Sequence, residues 1–381
     1  MISYFRNPNF VFFGTPEFAA IILERLIKAG FAPGVVVCNP DRPVGRKKIL
    51  TSPPTKIIAQ KYDIPVWQPE NLKTKNPALN GAFAETSNDS RNPGLTPNIS
   101  ILNDDQLSSP LVDKSEDRGS AGNRAPGSRV SIPNPNHSGP TANLLYREYD
   151  FFVVAAYAKI LPKEILEIPR LGSIGIHPSL LPKYRGPSPI QSAILNGEKE
   201  TGVTLFLMDE KVDHGPVLAQ KALENYELGI MNYESLMRKL AELGGDLLVE
   251  FLNQFREVQS PHELESIFGR LNLTPQDESR ATYTKKFKTE DAFIEPADLE
   301  NARSEGGEIA IQIERKIRAL NPEPGVFTLS PSKGGPQRIK ILEAELINGK
   351  LRRPEGVGAP TRASVLKLKK IQIEGGKPVE M

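Results

Sequence analysis

The stretch GSIGIHPSLLPKYRGPSPIQSAILNGEKETGVTLFLMDEKVDHG, residues Gly172 to Gly215, decides the fold that this sequence predicts. It contains two short apolar runs, Ser173 to Ile176 and Val203 to Met208, with the length and β-branched content typical of buried strands. His177 closes the first run, and Asp213 lies in the turn after the second. In an open parallel sheet both side chains would lie beyond the carboxyl ends of strands, where such sheets bind ligands. The stretch therefore predicts an α/β fold with an active site at one edge of the sheet.

His177 and Asp213 have the chemistry of a general acid/base pair. A histidine takes up or releases a proton near neutral pH, and a carboxylate beside it can orient the ring or relay a proton through water. Taken alone, the pair is more simply explained as a capping aspartate and a hydrogen-bonded surface histidine. Only the surrounding motifs can favour catalysis over that structural alternative.

Length and composition limit the class of protein. A chain of 381 residues is too long for one ordinary domain and predicts two, with a sizeable core. The single cysteine, Cys38, excludes an internal disulfide and a cysteine-rich zinc site, and it fits a reducing compartment. The first residues lack the pattern of a signal peptide, and no apolar run approaches the ~18 residues of a membrane span. We therefore expect a cytoplasmic protein without a membrane anchor.

The N-terminal part begins as a β-α-β unit. Phe10 to Phe13 predicts a strand, Gly14-Thr15-Pro16 a turn into a helix that ends near Lys28, and Gly34 to Cys38 the next strand. One glycine after the first strand falls far short of a dinucleotide-binding fingerprint. No nicotinamide or flavin site is therefore predicted.

Basic residues cluster in the next segment, NPDRPVGRKKIL, from Asn39 to Leu50. Pro43 and Gly45 predict a loop, on which basic side chains can reach a polyanion without being buried. The basic side chains are Arg42, Arg46, Lys47 and Lys48. The alternative for such a run is a solvated loop without a partner.

Residues from about Pro77 to Thr141 differ in composition from the rest of the chain. They are rich in Ser, Asn, Pro and Gly, and their few apolar residues cannot bury enough surface to offset the entropy of ordering. We expect a disordered insertion. Its length is tolerable because the entropy cost of closing a loop grows only logarithmically with length.

The chain after the insertion returns to regular patterns. Phe151 to Ala156 predicts a strongly apolar strand, and Ser235 to Phe255 predicts an amphipathic helix. A helix from Ile309 leads into three short β-like runs, Gly325 to Leu329, Ile339 to Leu346 and Val365 to Ile373. The basic residues in and around these runs are Lys340, Lys350, Arg352, Arg353, Lys367, Lys369 and Lys370. A small β-rich second domain is therefore expected.

Several motifs resemble those of the folate-dependent formyltransferases, and among them those of the enzymes that act on methionyl-tRNA. The motifs are HPSLLPKYRG from His177, the turn SPIQ into a helix, TGVT from Thr201, and MDEKVDHGP from Met208. DRPVGR, from Asp41, and PQDESRATYTKK, from Pro275, also match. The resemblance covers nearly the whole chain apart from the insertion and the thin C-terminus. It implies formyl transfer from 10-formyltetrahydrofolate to the α-amino group of initiator methionyl-tRNA in translation initiation, by a monomer that needs no metal.

The same resemblance implies the domain organisation. A doubly wound, Rossmann-like formyltransferase domain would span residues 9–258, with the insertion at about 77–141 inside it. Residues 259–308 would connect it to a C-terminal tRNA-binding domain, residues 309–381, of the oligonucleotide-binding barrel type. The β-like runs are too few for a closed five-stranded barrel, so this domain is expected to be shortened.

The resemblance also assigns roles to residues. His177 would stabilise the oxyanion and move protons, while Asp213 would hold His177 or a bridging water. Arg42 would be the leading tRNA contact, in a loop it shares with Arg46, Lys47 and Lys48. The residues implied for the folate pocket are Tyr157, Ala158, Ile160, Ser179, Leu180, Leu181, Pro182 and Asp213.

One position departs from the family pattern. The family has an asparagine two residues before the histidine, and this chain has Gly175 there. Either an oxyanion donor is missing, or a backbone N–H or a bound water takes the space that the side chain leaves. Two alternatives stay open. A formyltransferase acting on a nucleotide sugar or a small amine would share His177 and Asp213 but would not need the DRPVGR loop or a basic second domain, and a folate- or tRNA-binding protein could have lost catalysis through Gly175.

Overall fold

The computed structural model describes residues 7–45, 48–70, 72, 149–224, 231–256, 258, 260–331, 335–352 and 361–381. The expected insertion at 77–141 and two of the basic residues, Arg46 and Lys47, lie outside these residues. The predicted domain limits stay predictions.

The described elements follow one another in this order. The strands are β1 (Phe10–Gly14), β2 (Val35–Val37), β3 (Arg42–Val44), β4 (Ile49–Thr51), β5 (Val66–Trp67), β6 (Phe151–Ala155), β7 (Ser173–His177), β8 (Glu200–Leu207), β9 (Val217–Glu224), β10 (Phe327–Ser330), β11 (Gln337–Arg352), β12 (Thr361–Ile373) and β13 (Pro378–Glu380). The α-helices are α1 (Glu17–Lys28), α2 (Pro54–Lys61), α3 (Lys163–Leu166), α4 (Pro189–Asn196), α5 (Tyr233–Asn253), α6 (Pro261–Gly269), α7 (Pro296–Ser304) and α8 (Glu308–Leu320). Short 3₁₀ turns lie at Glu278–Arg280 and Thr289–Ala292.

The main sheet has the strand order β5-β2-β1-β6-β7-β8-β9 among the described residues. Strands β1 and β6 in its centre are buried along their whole length and carry no polar side chain, because both faces of the sheet are covered. Phe10 and Phe12 of β1 join the larger core cluster, which includes residues of α1 and α5. Val11 and Phe13 join a second cluster on the opposite face, which includes residues of α3. Successive side chains of a strand point to opposite faces, so the alternation of β1 between the two clusters confirms a doubly covered, Rossmann-like sheet.

The sheet is mixed, whereas a parallel sheet was expected around His177 and Asp213. Strands β5, β2, β1, β6 and β7 are parallel, but β8 pairs with β7 in the antiparallel direction, with His177 opposite Thr204 and Ile174 opposite Leu207. Strand β8 therefore ends at the edge where β7 begins. Asp213 does lie beside His177, but the expected reason for this, parallel strands that share a carboxyl edge, was wrong. The loop after β8 starts there, since the Met208 N–H donates to the Ser173 carbonyl at 2.8 Å. Asp213 reaches His177 only because this loop extends back along β7.

A second, four-stranded antiparallel sheet forms in the C-terminal part, in the order β10-β11-β12-β13. The predicted helix and the three predicted β-like runs are confirmed here, and β13 was not predicted. The arrangement is consistent with a small barrel-like domain. Helix α8 joins this sheet to the first part of the chain by packing against α4. In the described part of the chain, no helix is both long enough and apolar enough to cross a membrane.

Candidate active site

His177 and Asp213 come together in the folded chain. His177 is the last residue of β7 and is buried, and its Nδ1 lies 3.5 Å from Asp213 Oδ2. Its Nε2 lies 2.9 Å from the Tyr184 carbonyl oxygen. Because that oxygen can only accept, Nε2 carries a hydrogen, and a neutral ring would turn the lone pair of Nδ1 toward the carboxylate. Nδ1 is therefore the ring nitrogen that faces the carboxylate.

Asp213 is held in an unusual backbone conformation. Its φ angle is +48°, in the left-handed region that residues with a side chain seldom adopt. Its Oδ2 accepts a 2.7 Å hydrogen bond from the Gly186 N–H, and its carbonyl oxygen accepts one of 2.9 Å from Gln276 Nε2. These contacts fix both the carboxylate and the turn that carries it. The surrounding structure therefore orients Asp213 before any substrate arrives.

Three residues that contact this site were not assigned roles from the sequence. Arg185 lies inside the motif HPSLLPKYRG but was given no function, and Gln276 and Thr284 lie in the segment matched only as an interdomain connection. Arg185 and Gln276 are hydrogen-bonded to each other, and Thr284 contacts the Arg185 carbonyl oxygen. The only signal in the sequence was the place of Arg185 inside the motif, because its burial becomes visible only in the folded chain.

The space beside Gly175 is occupied, which differs from the expected vacancy. Gly175 pairs with Phe206 across β7 and β8. A β-carbon at Gly175 would lie 2.4 Å from Phe206 Cε1, 2.5 Å from Phe206 Cζ and 3.1 Å from Met208 Cγ. No room for a bound water therefore remains on this side of Gly175, and the expectation of a vacated pocket was wrong.

The residues expected at the folate pocket form two segments. In the first, residues 157–160, the Tyr157 ring packs edge-on against Phe13, while Ile160 is 87% exposed. The buried Tyr157 hydroxyl has no hydrogen-bond partner within the described structure, and burial raises the pKa of this phenol to about 12. Ala158 is exposed. An uncovered apolar side chain and an unpaired hydroxyl in one turn fit a ligand that has both apolar and polar groups.

The second segment, residues 179–182, is a rigid loop directly after His177. The Ser179 carbonyl oxygen accepts from Thr204 Oγ1 at 2.7 Å, and the Leu181 N–H donates to the same hydroxyl at 3.1 Å. Gln220 Nε2 donates to the Leu181 carbonyl oxygen at 2.7 Å. The Leu181–Pro182 peptide is cis, and Leu180 packs over Gly202. The Ser179 hydroxyl donates to the Lys183 carbonyl at 2.6 Å, so it is already engaged within the loop.

The basic segment expected as a loop forms an antiparallel hairpin of β3 and β4, with Arg42 opposite Thr51 and Val44 opposite Ile49. Two of the expected tRNA contacts, Arg42 and Lys48, are exposed on it. Three apolar side chains are exposed beside them: Val44, Ile49 and Leu50. Exposed apolar and basic groups side by side are typical of a surface that binds a partner.

The base of this hairpin is braced by Asp41. Its carboxylate accepts from Gln68 Nε2 at 2.9 Å, from Lys56 Nζ at 2.9 Å and from the Ser52 hydroxyl at 3.0 Å. Hydrogen bonds from Gln68 and then from Lys56 lower the pKa of Asp41 to about 2. Gln68 Nε2 also donates to the Asn39 carbonyl oxygen at 2.8 Å. The hairpin is therefore anchored to the main sheet through side chains.

The basic residues of the C-terminal sheet are largely paired with acids. Lys367 and Lys369 lie 3.6 and 3.3 Å from the carboxylate of Glu345, and Lys370 lies 3.0 Å from Glu380. Lys340 is exposed. The side chains of Lys350, Arg352 and Arg353 lie outside the described structure. The described lysines thus contribute less net positive charge than the sequence suggested.

Groups of three or more side chains able to hold a metal ion are absent from the described residues. The candidate site consists of hydrogen-bonding and proton-transferring groups supplied by the loops at the ends of β7 and β8.

Comparison with known proteins gives concordant matches. Residues 137–252 match the formyl transferase family, and residues 308–381 match the formyl transferase C-terminal domain. The chain is 31% identical over 360 residues to a methionyl-tRNA formyltransferase of Staphylococcus aureus (strain MW2), covering 93% of this chain and 86% of that one. It is 32% identical over 383 residues to a methionyl-tRNA formyltransferase of Caldicellulosiruptor saccharolyticus, covering 97% and 93%.

Among solved structures, the fold is similar to an N-formyltransferase from Helicobacter canadensis in complex with folinic acid and dTDP-3-aminofucose. The TM-score is 0.50 at 15% identity, and the match covers 98% of this chain and 99% of that one. At this identity the likeness concerns the fold alone.

Proposed function

The chain belongs to the methionyl-tRNA formyltransferase family, and we propose on that premise that it transfers the formyl group of 10-formyltetrahydrofolate to the α-amino group of initiator methionyl-tRNA. The observation that carries the proposal is the 3.5 Å approach of His177 and Asp213, brought together by loops at opposite ends of two antiparallel strands. Translation initiation in the cytoplasm by a monomeric enzyme is part of the proposal.

The two nitrogens of His177 have different tasks in this proposal. Nε2 donates to the Tyr184 carbonyl at 2.9 Å, which anchors the ring. Nδ1 is only loosely engaged, since 3.5 Å from Asp213 Oδ2 is longer than an ordinary N–H···O hydrogen bond. Nδ1 is therefore the ring nitrogen that remains available to a reacting oxygen or amine. Proton transfer takes place at this atom.

Bound folate supplies the formyl group. The neutral amine of methionyl-tRNA attacks the formyl carbon, and the carbonyl oxygen becomes an oxyanion. The attacking nitrogen gives up a proton, a proton is delivered to the folate nitrogen, and the bond between the formyl carbon and that nitrogen breaks as the oxyanion collapses, which leaves formylated methionyl-tRNA and tetrahydrofolate. A hydrogen-bond donor on His177 stabilises the developing negative charge, because a fixed, buried donor needs no reorganisation. Asp213 stabilises the charge on His177 while the ring holds the proton.

Folate and tRNA would be held by separate surfaces. Exposed Ile160 and the unpaired Tyr157 hydroxyl support a folate site near residues 157–160, completed by Ala158, by the rigid loop of residues 179–182 and by Asp213. The exposed hairpin supports a tRNA site, with Arg42 and Lys48 directed to phosphates and with Arg46 and Lys47 in the same segment. A small amine or sugar substrate would have no need of this braced, basic hairpin.

The experiment that tests the proposal is a comparison of acceptors. The purified chain is given 10-formyltetrahydrofolate and either initiator methionyl-tRNA, elongator methionyl-tRNA, free methionine or an amino sugar nucleotide, and formylated product is counted. We expect kcat/KM for initiator methionyl-tRNA to exceed that for each other acceptor by at least about 10²-fold, equivalent to about 2.7 kcal/mol. Transfer to a small amine alone, or to no acceptor, would overturn the proposal.

A further inference from the structure

The segment that joins the two domains contacts the groups that hold both His177 and Asp213. We propose that this segment is part of the catalytic apparatus and that Gln276 is a positioning residue for Asp213. The inference rests on the proposed roles of His177 and Asp213 and assigns the segment a task beyond connecting domains.

Gln276 holds the turn that carries Asp213. Both hydrogens of its Nε2 are used, one donated to the Asp213 carbonyl at 2.9 Å and one to the Gly215 carbonyl at 2.7 Å. Carbonyls two residues apart converge on one amide only when the chain turns sharply between them. This clamp spans the residue whose φ angle is +48°, a left-handed conformation that costs free energy unless its surroundings support it.

The opposite side of the Gln276 amide is bound by Arg185. Its Oε1 accepts from Arg185 Nε at 3.0 Å and from Arg185 Nη2 at 2.8 Å. If the Gln276 amide were rotated by 180°, its NH₂ group would face the donors of the guanidinium and its oxygen would face the two carbonyl oxygens. The hydrogen-bond partners therefore allow only the observed orientation. Both donors and both acceptor positions of Gln276 are thus satisfied.

Arg185 is a fully buried cation with every hydrogen engaged. Besides Gln276, its Nη1 donates to Glu278 Oε2 at 3.1 Å and to the Tyr283 hydroxyl at 3.0 Å, and its Nη2 donates to Glu278 Oε1 at 2.6 Å. Its side chain is 0% exposed. Hydrogen bonding to Glu278 raises the pKa of Arg185 above its ordinary value. A buried charge is costly unless it is paired, so loss of any of these bonds would destabilise the fold.

The backbone beside Arg185 links the same segment to His177. The Arg185 N–H donates to the Thr282 carbonyl at 2.8 Å, and the Thr284 N–H donates to the Arg185 carbonyl at 2.7 Å. This pairing fixes the neighbouring Tyr184 carbonyl, which binds His177 Nε2, and the Gly186 N–H, which binds the Asp213 carboxylate. One segment therefore determines the positions of both reacting side chains by two separate routes.

Positioning of this kind has a large effect on rate. A displacement of about 1 Å in a catalytic group can lower the rate by about 10²-fold, because the reacting atoms no longer meet in line. Loss of the Gln276 clamp would let the Asp213 turn relax toward an ordinary backbone conformation. We therefore expect substitution of Gln276 to lower kcat and to leave the binding of methionyl-tRNA unchanged.

The test uses Gln276→Glu in the full chain. Glutamate has the same shape and still accepts from Arg185, but it cannot donate to the Asp213 and Gly215 carbonyls. We expect kcat to fall by about 10- to 100-fold, with the KM for methionyl-tRNA unchanged within twofold. Gln312→Glu is the matched control, since Gln312 is exposed on α8 and its one side-chain hydrogen bond within the described part of the chain is a long contact of 3.4 Å with Glu308. Its kcat should equal that of the wild type.

Repeating the substitution in an Asp213→Asn variant distinguishes a positioning role of Gln276 from a general structural role. If Gln276 acts through Asp213, the Gln276→Glu change should not lower kcat any further in an Asp213→Asn variant. A general structural defect would instead lower the remaining kcat by the same factor again.

Should Gln276→Glu not fold, Thr284→Val replaces it, because it removes the hydroxyl that donates to the Arg185 carbonyl at 3.1 Å and accepts from the Ser188 N–H at 3.0 Å. We expect a kcat loss of about threefold or more.

Two results would overturn the inference: an unchanged kcat in the folded variant, or equal losses with and without Asp213. An inactive wild-type chain would instead overturn the proposed function, so the two failures are distinguishable.

Discussion

The ring of Phe206 fills the space that a side chain at Gly175 would occupy. The two residues pair across β7 and β8, and Phe206 Cε1 lies 2.4 Å from the position of a β-carbon on Gly175. Phe206 is itself buried. The site is therefore built around glycine, and the oxyanion must be stabilised by groups other than a side chain at this position.

Gly175→Asn should lower stability without raising the rate. The new side chain would collide with a buried ring, and overpacking of this kind costs about 1–3 kcal/mol. Denaturant unfolding measures the stability, and single-turnover formylation measures the rate. A rate gain of tenfold or more would contradict this expectation and would show that the native site lacks a donor.

The pair Gly175→Asn with Phe206→Ala is the control for this explanation. Removing the ring alone leaves a cavity and should cost about 3–5 kcal/mol. In the double variant, asparagine partly fills that cavity. The loss in free energy of unfolding measured for the double variant should therefore be smaller, by about 0.5–3 kcal/mol, than the sum of the losses in the two single variants. Additive losses would show that Phe206 does not set the space beside Gly175.

His177→Ala and Asp213→Asn should each lower kcat by about 10²- to 10⁴-fold in protein that stays folded. The two side chains lie 3.5 Å apart and in the proposed mechanism act on the same proton, so the double variant should be little slower than the slower single variant. Formylation kinetics and thermal unfolding on the same samples test this expectation. Losses that multiply would indicate separate roles.

Arg42→Ala should weaken the use of methionyl-tRNA and reduce its dependence on salt. Each lost phosphate contact lowers the slope of log affinity against log salt by about 0.9 or less. Folate binding should not change. Arg270→Ala is the control, because Arg270 is exposed beyond the end of α6 and far in sequence from the hairpin. If the slope of log affinity against log salt is the same for Arg42→Ala as for the wild type, Arg42 does not contact tRNA phosphates and the hairpin is not part of the tRNA site.

Asp41→Asn should loosen the base of the hairpin in a pH-dependent way. The pKa of Asp41 is lowered from its ordinary 3.8 to about 2, so its charge stabilises the fold above pH 3.8, and this contribution is lost as the pH falls through about 2. The melting temperature of the variant should therefore lie below that of the wild type at neutral pH and approach it in acid. A difference that persists at about pH 2 would rule out the carboxylate charge as its cause.

Deletion of residues 77–141, with a short Gly/Ser bridge in their place, should leave folding and kcat nearly unchanged. A segment with this composition contributes little buried surface, and shortening a loop changes its closure free energy by only about 0.6 kcal/mol per twofold change in length. Melting temperature and formylation rate are compared with those of the full chain. A large fall in either would show that the segment is structural.

The order of strands and helices in the catalytic part was largely evident from the sequence. Apolar runs such as Phe10 to Phe13 predict strands, and the amphipathic run from Ser235 predicts a helix, because periodicity is a local property of the chain. The motifs identified His177 and Asp213 for the same reason. The β3–β4 hairpin was missed because its exposed residues follow no alternation between buried and solvated positions.

Tertiary structure alone decided how those elements meet. The direction of β8 depends on the route of the chain between strands, and residue types do not encode it. Phe206 fills the space beside Gly175 only because these strands pair in one register. Gln276 is 63 residues from Asp213 and 91 from Arg185, and its hydrogen bonds exist only after folding brings those groups together. A sequence motif specifies which side chains are present, whereas long-range pairing specifies which of them touch.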